Sequence, residues 1–309
     1  MSRYGFSLGI VDVPNIRSSH SSPTPRGGGV GLLLTFFVVS AVFASAPASF
    51  WLPATCLAMV SFFDDRLDLS PKARLVFQFG AAAIVVLGAG LIEISFLSLI
   101  VISFWLFFIV GTANFYNFMD GINGIAGITG VVGFGLTAAF IRMSDVDSTL
   151  FFLSLAMSAA CAGFLPFNLP KARVFMGDVG SILLGFIFAG ITFTLSNDLG
   201  SFLCFLAFMF PFYADALTTL FVRWQDGEKL SQAHRRHLYQ VLVNECALPH
   251  WLVSCGYGFV QLIVGTTILW AWSISLWIEL LGLALSIILF FGFTSWVRER
   301  TALDERRSQ

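Results

Sequence analysis

About ten apolar runs, divided by short polar connections, set the pattern of this chain. They cover Gly28–Ala46, Ser49–Phe63, Leu75–Ile92, Ile94–Gly111, Ile125–Ile141, Leu150–Phe167, Ser181–Leu195, Phe202–Val222, Trp251–Trp272 and Ile274–Val297. A helix needs about 20 apolar residues, within a range of about 17–25, to cross the hydrocarbon core of a bilayer. The second and seventh runs are short and borrow flanking residues. No period-two alternation and no internal repeat is visible. The pattern predicts an all-α, polytopic integral membrane protein of about ten transmembrane helices. It reads as a single domain over residues 1–309, with a polar loop at 1–27 and a charged tail at 298–309.

The connections fix an orientation. With the N-terminus in the cytoplasm, all but Arg142 of the 17 Lys and Arg fall on the cytoplasmic side, as the positive-inside rule requires. The outer connections are short and carry Glu93, Asp145, Asp147 and Asp198. The inner face holds every long polar stretch: 1–27, Asp64–Arg74, Asn114–Gly124, Asn168–Gly180 and Arg223–His250. Composition agrees, at 57% hydrophobic and only 11% charged, against about 25% charged in a soluble domain. The N-terminus is too polar for a signal peptide. The five cysteines show no metal spacing and no disulfide framework. Nothing in the composition calls for a nucleic-acid partner.

The inner polar islands carry the candidate chemistry. NFYNFMDGING (114–124) gathers Asn114, Asn117, Asn123 and Asp120 between two apolar runs. Its carboxylate and amides suit a metal or a phosphorylated ligand, and they equally suit a helix–helix turn. Asp64, Asp65 and Asp68 crowd the C-terminal end of a helix. That end is already electronegative, so acids there want a cation. Lys72 and Arg74 follow, leaving either a divalent-cation site or a solvated, salt-bridged loop. Ser70-Pro71 reads as an N-cap and first-turn proline. Asp178 sits between glycines before the seventh run, where a helix N-terminus can bind phosphate. His234, Arg235, Arg236 and His237 form a cationic segment able to hold a diphosphate. Asp215 lies inside an apolar run near this face and either has a role or caps a neighbour.

These residues resemble a known family. DVPNIRSSHSSPTPRGGG, FFDDRLDLSPKAR, NFYNFMDGINGIAG, VFMGDVGS and AHRRHLYQ occur in the order and spacing of the polyprenyl-phosphate N-acetylhexosamine-1-phosphate transferases (glycosyltransferase family 4), over about residues 11–240. The resemblance implies Mg²⁺-dependent transfer, with Mn²⁺ as a substitute, of a sugar-1-phosphate from a UDP-N-acetylhexosamine donor to undecaprenyl phosphate, releasing UMP. It implies a bacterial inner-membrane enzyme working at the cytoplasmic face among membrane lipids, and a homodimer. Position by position, Asp64 and Asp65 resemble the aspartate pair, with Asp64 acting on the lipid phosphate. Asp178 resembles the Mg²⁺ ligand, alongside Asp64 and Asp65, and Phe175 the aromatic that stacks on uracil. Asn117 and Asp120 resemble the nucleotide-side pair, and Lys72 the basic residue after the aspartates. His234, Arg235, Arg236 and His237 fall on the sugar-phosphate loop.

Three departures stand out. His-Arg-Arg-His is closer to the initiators of O-antigen and capsule than to the muramoyl-pentapeptide branch. Asn123 stands where a second acid is common. The family also has a helix before DVPNIRSSH, so this chain has either lost it or starts too far downstream. The rival expectation is a ten-helix transporter or flippase of a phosphorylated or lipid-linked substrate. Such a protein would place ionisable groups and broken helices near the midplane, whereas the acids here gather at one face.

Overall fold

The computed structural model describes residues 11–12, 23–43, 46–67, 69–92, 95–144, 148–229, 232 and 234–308. Among the described residues, every apolar run is helical along most of its length. The helices are α1 (Gly29–Val38, continuing as a wider π-turn over Val39–Phe43), α2 (Ala48–Leu67), α3 (Pro71–Gly88), α4 (Phe96–Met119), α5 (Ile125–Ser144) and α6 (Ser148–Asn168). After these come α7 (Gly177–Leu195), α8 (Leu199–Phe208), α9 (Phe210–Gln225), α10 (Leu238–Asn244), α11 (His250–Trp272) and α12 (Leu276–Ser308). By length and composition, α3–α7, α11 and α12 can each cross a bilayer; α8 and α9 together make an eighth candidate, and α1 and α2 are shorter apolar helices. The chain is a multi-pass membrane protein. Contrary to the absence of strand patterning, Val11–Asp12 (β1) pairs antiparallel with Thr24–Pro25 (β2). Two residues are too few to show an alternation.

The centre of the fold is α7, buried along 89% of its apolar span. It packs against α1, α2 and α4. Its first turn meets that of α1 backbone to backbone. A Cβ at Gly180 would lie 2.9 Å from the Gly29 Cα, and a Cβ at Gly29 would run into the Gly180 backbone. Small residues let helices approach this closely inside a membrane, where packing rather than a hydrophobic force holds them together. The opposite extreme is α12, only 6% buried along its span, which leaves Trp277, Leu281 and Ile288 exposed.

The eighth apolar run is not one helix, as its length predicts, but two bent by 83°. Pro211 is the cause: it lacks the N–H that a continuing helix would donate, and it fits the first turn of α9 instead. A break inside an apolar body must have its freed carbonyls satisfied. Gln261 of α11, fully buried, does this: its Nε2 donates to the Phe208 carbonyl at 2.6 Å and to the Thr129 carbonyl at 3.1 Å. Gln261→Leu is therefore expected to lower stability by about 1–2 kcal/mol, read as a fall in Tm in detergent. An unchanged Tm would mean that the bend needs no outside donor.

Candidate active site

The loops at one end of the helices converge on Asp64 and Asp178. Asp64 lies in the last turns of α2, where the helix end disfavours a negative charge. The cation comes from α3. Ser70 accepts from the Ala73 N–H and Pro71 opens the helix, as the sequence predicts, and this start places Arg74 one turn in. Arg74 Nε lies 2.7 Å from Asp64 Oδ2, and the other Asp64 oxygen accepts the Leu69 N–H at 2.7 Å. The Asp64 side chain is only 4% exposed, so this pairing offsets a real desolvation cost. Arg74 Nη1 also stands 3.6 Å from Asp178 Oδ2, and so links carboxylates from two separate loops.

Asp178 occupies the first turn of α7, where a carboxylate is favoured. The chain reaches it through Gly177, whose φ of 72° is a left-handed conformation natural to glycine. The preceding residues are stitched to the chain before α1: Phe175 N–H donates to Pro25, the N–H groups of Gly27 and Gly28 to Phe175, and that of Gly29 to Met176. Phe175 itself is half-buried. Asn117, in the last turn of α4, accepts the Ser181 hydroxyl at 2.7 Å, which ties α4 to the start of α7. Asp120 follows at the end of α4, and its carboxyl is pushed well above the usual range, first by burial and then by the charge of Asp178. These two acids thus share one electrostatic environment. Asn114 and Asn123 do structural work: Asn114 pairs with Gln78 of α3, and the Asn123 backbone is held by His250 and Ser254.

The cationic segment is held by Asp215. This fully buried carboxylate accepts the N–H groups of Leu238 (2.9 Å) and Tyr239 (3.3 Å), the Thr219 hydroxyl (3.1 Å) and the Tyr257 hydroxyl (2.6 Å). It also lies 3.4 Å from His237 Nδ1. Asp215 therefore caps the first turn of α10 and sets the position of His237. The His237 ring stacks near-parallel on Tyr239 at 5.7 Å, and the His234 ring lies 4.9 Å away. Tyr239 donates to the Phe118 carbonyl at 2.9 Å, with its hydroxyl set against Gly121, where a Cβ would collide with it. This contact joins the histidine segment to the loop that carries Asp120.

Burial, with His237 and Arg223 nearby, pushes the His234 imidazolium down to about 4. The ring is thus neutral near pH 7. Its Nδ1 accepts the Arg236 N–H at 3.3 Å, which leaves Nε2 to carry the proton as a donor. An unfolded histidine titrates near about 6.5. Between that pH and about 4 the unfolded chain takes up a proton that folded His234 refuses, so stability is lost as pH falls through this window. In Tm measurements from pH 6.5 to 4.5, His234→Gln is expected to fall less than the wild type. Equal slopes would assign the effect to another group.

The carboxylate loops of this site lie in a stretch that matches a known family. The model of glycosyl transferase family 4 matches residues 47–196, which include Asp64, Arg74, Asn117, Asp120 and Asp178. A phospho-N-acetylmuramoyl-pentapeptide-transferase of Synechococcus is 32% identical over 81% of this chain and 79% of its own length. The chain belongs to glycosyl transferase family 4. A decaprenyl-phosphate N-acetylglucosaminephosphotransferase of Mycobacterium tuberculosis is 27% identical, with 92% of this chain and 77% of that protein covered. An undecaprenyl-phosphate alpha-N-acetylglucosaminyl 1-phosphate transferase of Thermotoga maritima is 31% identical over 66% of this chain and 63% of its own length. This family 4 protein is accordingly a glycosylphosphotransferase.

Of the residues singled out in the sequence, the family 4 site brings together Asp64, Asp178, Asp120 and Asn117, with His237 joined to them through Tyr239. Lys72 is exposed, and the cation at the carboxylates is Arg74 instead. Arg236 turns its guanidinium to Asp226 and Glu228 within its own loop. Arg235 is half-buried in the same segment. The Asp65 side chain, Asp68 and the stretch 13–22 lie outside the described residues. Sequence reasoning missed Tyr239, and it named Arg74 only as a salt-bridge partner of the acids, which the Asp64 pair shows it to be. The signal for Arg74 was its place one turn after the Ser70-Pro71 start, on the helix that follows the acids.

Proposed function

We propose that this protein transfers an N-acetylhexosamine-1-phosphate from a UDP-sugar to undecaprenyl phosphate at the cytoplasmic face of a bacterial inner membrane, releasing UMP. In this reading the product initiates a lipid-linked surface glycan such as O-antigen. The supporting observation is the convergence of Asp64 and Asp178 on Arg74, at the end of α4 that an apolar groove approaches. That groove, about 450 Å³, is walled by Phe107, Gly111 and Phe115 of α4, Phe210 and Leu217 of α9, and Phe290 of α12. Phe115 stands about one turn before Asp120, so the groove runs along α4 toward the end of the helix that carries the carboxylate loops.

The donor set suits Mg²⁺, or Mn²⁺ in its place. Asp120 and Asp178 are hard oxygen ligands whose mutual repulsion a cation would relieve. Mg²⁺ is held by one or two carboxylates with substrate phosphates and water rather than by an all-protein cage, and no group of three ligating side chains occurs among the described residues. Asp178 with Asp120 would hold the ion, which when bound would offset the charge of the diphosphate. Asp64 orients the lipid phosphate and takes its proton. One oxygen of that phosphate bonds to the sugar-bearing phosphorus as the bond from this phosphorus to the UMP oxygen breaks. Neutral His234 donates to the diphosphate with His237 beside it, and Phe175 stacks on the uracil.

The break between α8 and α9 is a feature that suits a transporter. Its freed Phe208 carbonyl is already taken by Gln261 rather than left for a transported ion, which favours the enzyme. The test is UMP release by purified protein given undecaprenyl phosphate and a panel of UDP-N-acetylhexosamines. No UMP from any donor, with folded protein, would overturn the reading.

A further inference from the structure

The charged tail, to which the sequence assigned no chemistry, begins inside the site. Near its end α12 packs on α10: Val297 is buried against Leu238 and Val241 in a small apolar cluster separate from the main core. One residue further, Arg298 Nη2 donates to the Arg236 carbonyl at 2.6 Å and to the Thr219 hydroxyl oxygen at 3.3 Å. That hydroxyl in turn donates to Asp215, the carboxylate that caps α10. The Arg236 N–H is engaged as well, by His234 Nδ1. The main chain of Arg236 is therefore pinned at both ends, by a ring of the site on one side and by a cation from α12 on the other. Arg236 lies outside any helix, so no ladder of backbone bonds would otherwise fix its carbonyl. Arg298 comes from outside the residues 47–196 matched by the family model.

We propose that Arg298 is a positioning residue: by holding the Arg236 peptide it fixes the aim of His234 and His237 at the sugar-phosphate donor. This rests on the transferase reading given above. A charge-assisted bond to a carbonyl is stronger than a neutral one, and its loss frees the segment between α9 and α10 while leaving the carboxylate loops in place. The effect belongs to the donor and not to the lipid acceptor.

The experiment uses the full chain in detergent with four proteins: wild type, Arg298→Ala, Arg298→Lys and Arg300→Ala. Arg300 is exposed and lies over the Trp296 ring, and so serves as the charge control. UMP release is measured with UDP-N-acetylhexosamine and undecaprenyl phosphate varied separately, and tryptic cleavage after Arg235 and Arg236 is timed. For Arg298→Ala the donor KM is expected to rise about tenfold, as for loss of one charge-assisted contact. Its acceptor KM stays within about twofold of wild type, and cleavage is faster. Arg298→Lys, which keeps a cationic donor, recovers most of both effects, and Arg300→Ala matches the wild type. The proposal is overturned if Arg298→Ala shifts both KM values alike or neither, or if the lysine variant is no better than alanine. If wild-type protein releases no UMP, the transferase reading fails, and unchanged cleavage in Arg298→Ala then overturns the pinning itself.

Discussion

Asparagine in place of Asp178 is expected to abolish UMP release, by about a thousandfold or more, in protein that still inserts and folds. Asp178 stands in the first turn of the most buried helix, 3.6 Å from Arg74 and close enough to Asp120 to raise its carboxyl. The amide is nearly the same size and keeps the turn, so Tm should change little. What it loses is the anionic oxygen, a far better Mg²⁺ ligand than an amide. Charge stabilisation by a metal is worth several kcal/mol, which at about 1.4 kcal/mol per tenfold gives the stated loss. The measurement is UMP release across a Mg²⁺ titration, with Tm in parallel. Near-normal turnover at low Mg²⁺ would remove Asp178 from the metal site.

Asp64→Asn is expected to lower turnover by about a hundredfold to ten-thousandfold, the span of a lost general base, while UDP-sugar binding is largely kept. Asparagine can still accept the Leu69 N–H through its oxygen. It cannot neutralise Arg74, so a nearly buried pair is left half broken, and Tm should fall as well. Turnover is therefore compared at a temperature where both proteins remain folded, beside a direct titration of donor binding. Lost nucleotide affinity with unchanged turnover at saturation would reverse the role and move Asp64 to the donor side.

The helices were legible because a bilayer imposes its length on them, and each apolar run became one. The exception, the run broken at Met209, carried its own signal in Pro211. The degree of bend did not, because it depends on Gln261, a residue 50 positions away whose amide is aimed only once α11 has packed. In the site, the residues read correctly from local sequence are those whose environment is local: Ser70 as a cap and Asp178 at a helix start. Lys72 and Arg74 differ by two positions, about 200° around a helix. The choice between them needed the orientation of α3 against α2. Asp215 could be read as an acid with some role, but the four donors it accepts come from Thr219, Leu238, Tyr239 and Tyr257, on three helices. Arg236 looked like a phosphate ligand until its own loop folded Asp226 and Glu228 back on it.

The crossing of Gly29 and Gly180 has a consequence for how this protein can vary. Most close contacts between helices can drift, because a larger side chain on one partner can be answered by a smaller one opposite. Here both partners are already glycine and the surfaces that touch are main chain, so no second-site change can make room. The start of α1 and the start of α7 form a fixed point from which Asp178 is hung. A library of variants of this chain should accept changes freely on the exposed face of α12, at Trp277, Leu281 and Ile288, while any Cβ at position 29 or 180 should be lost together with the site.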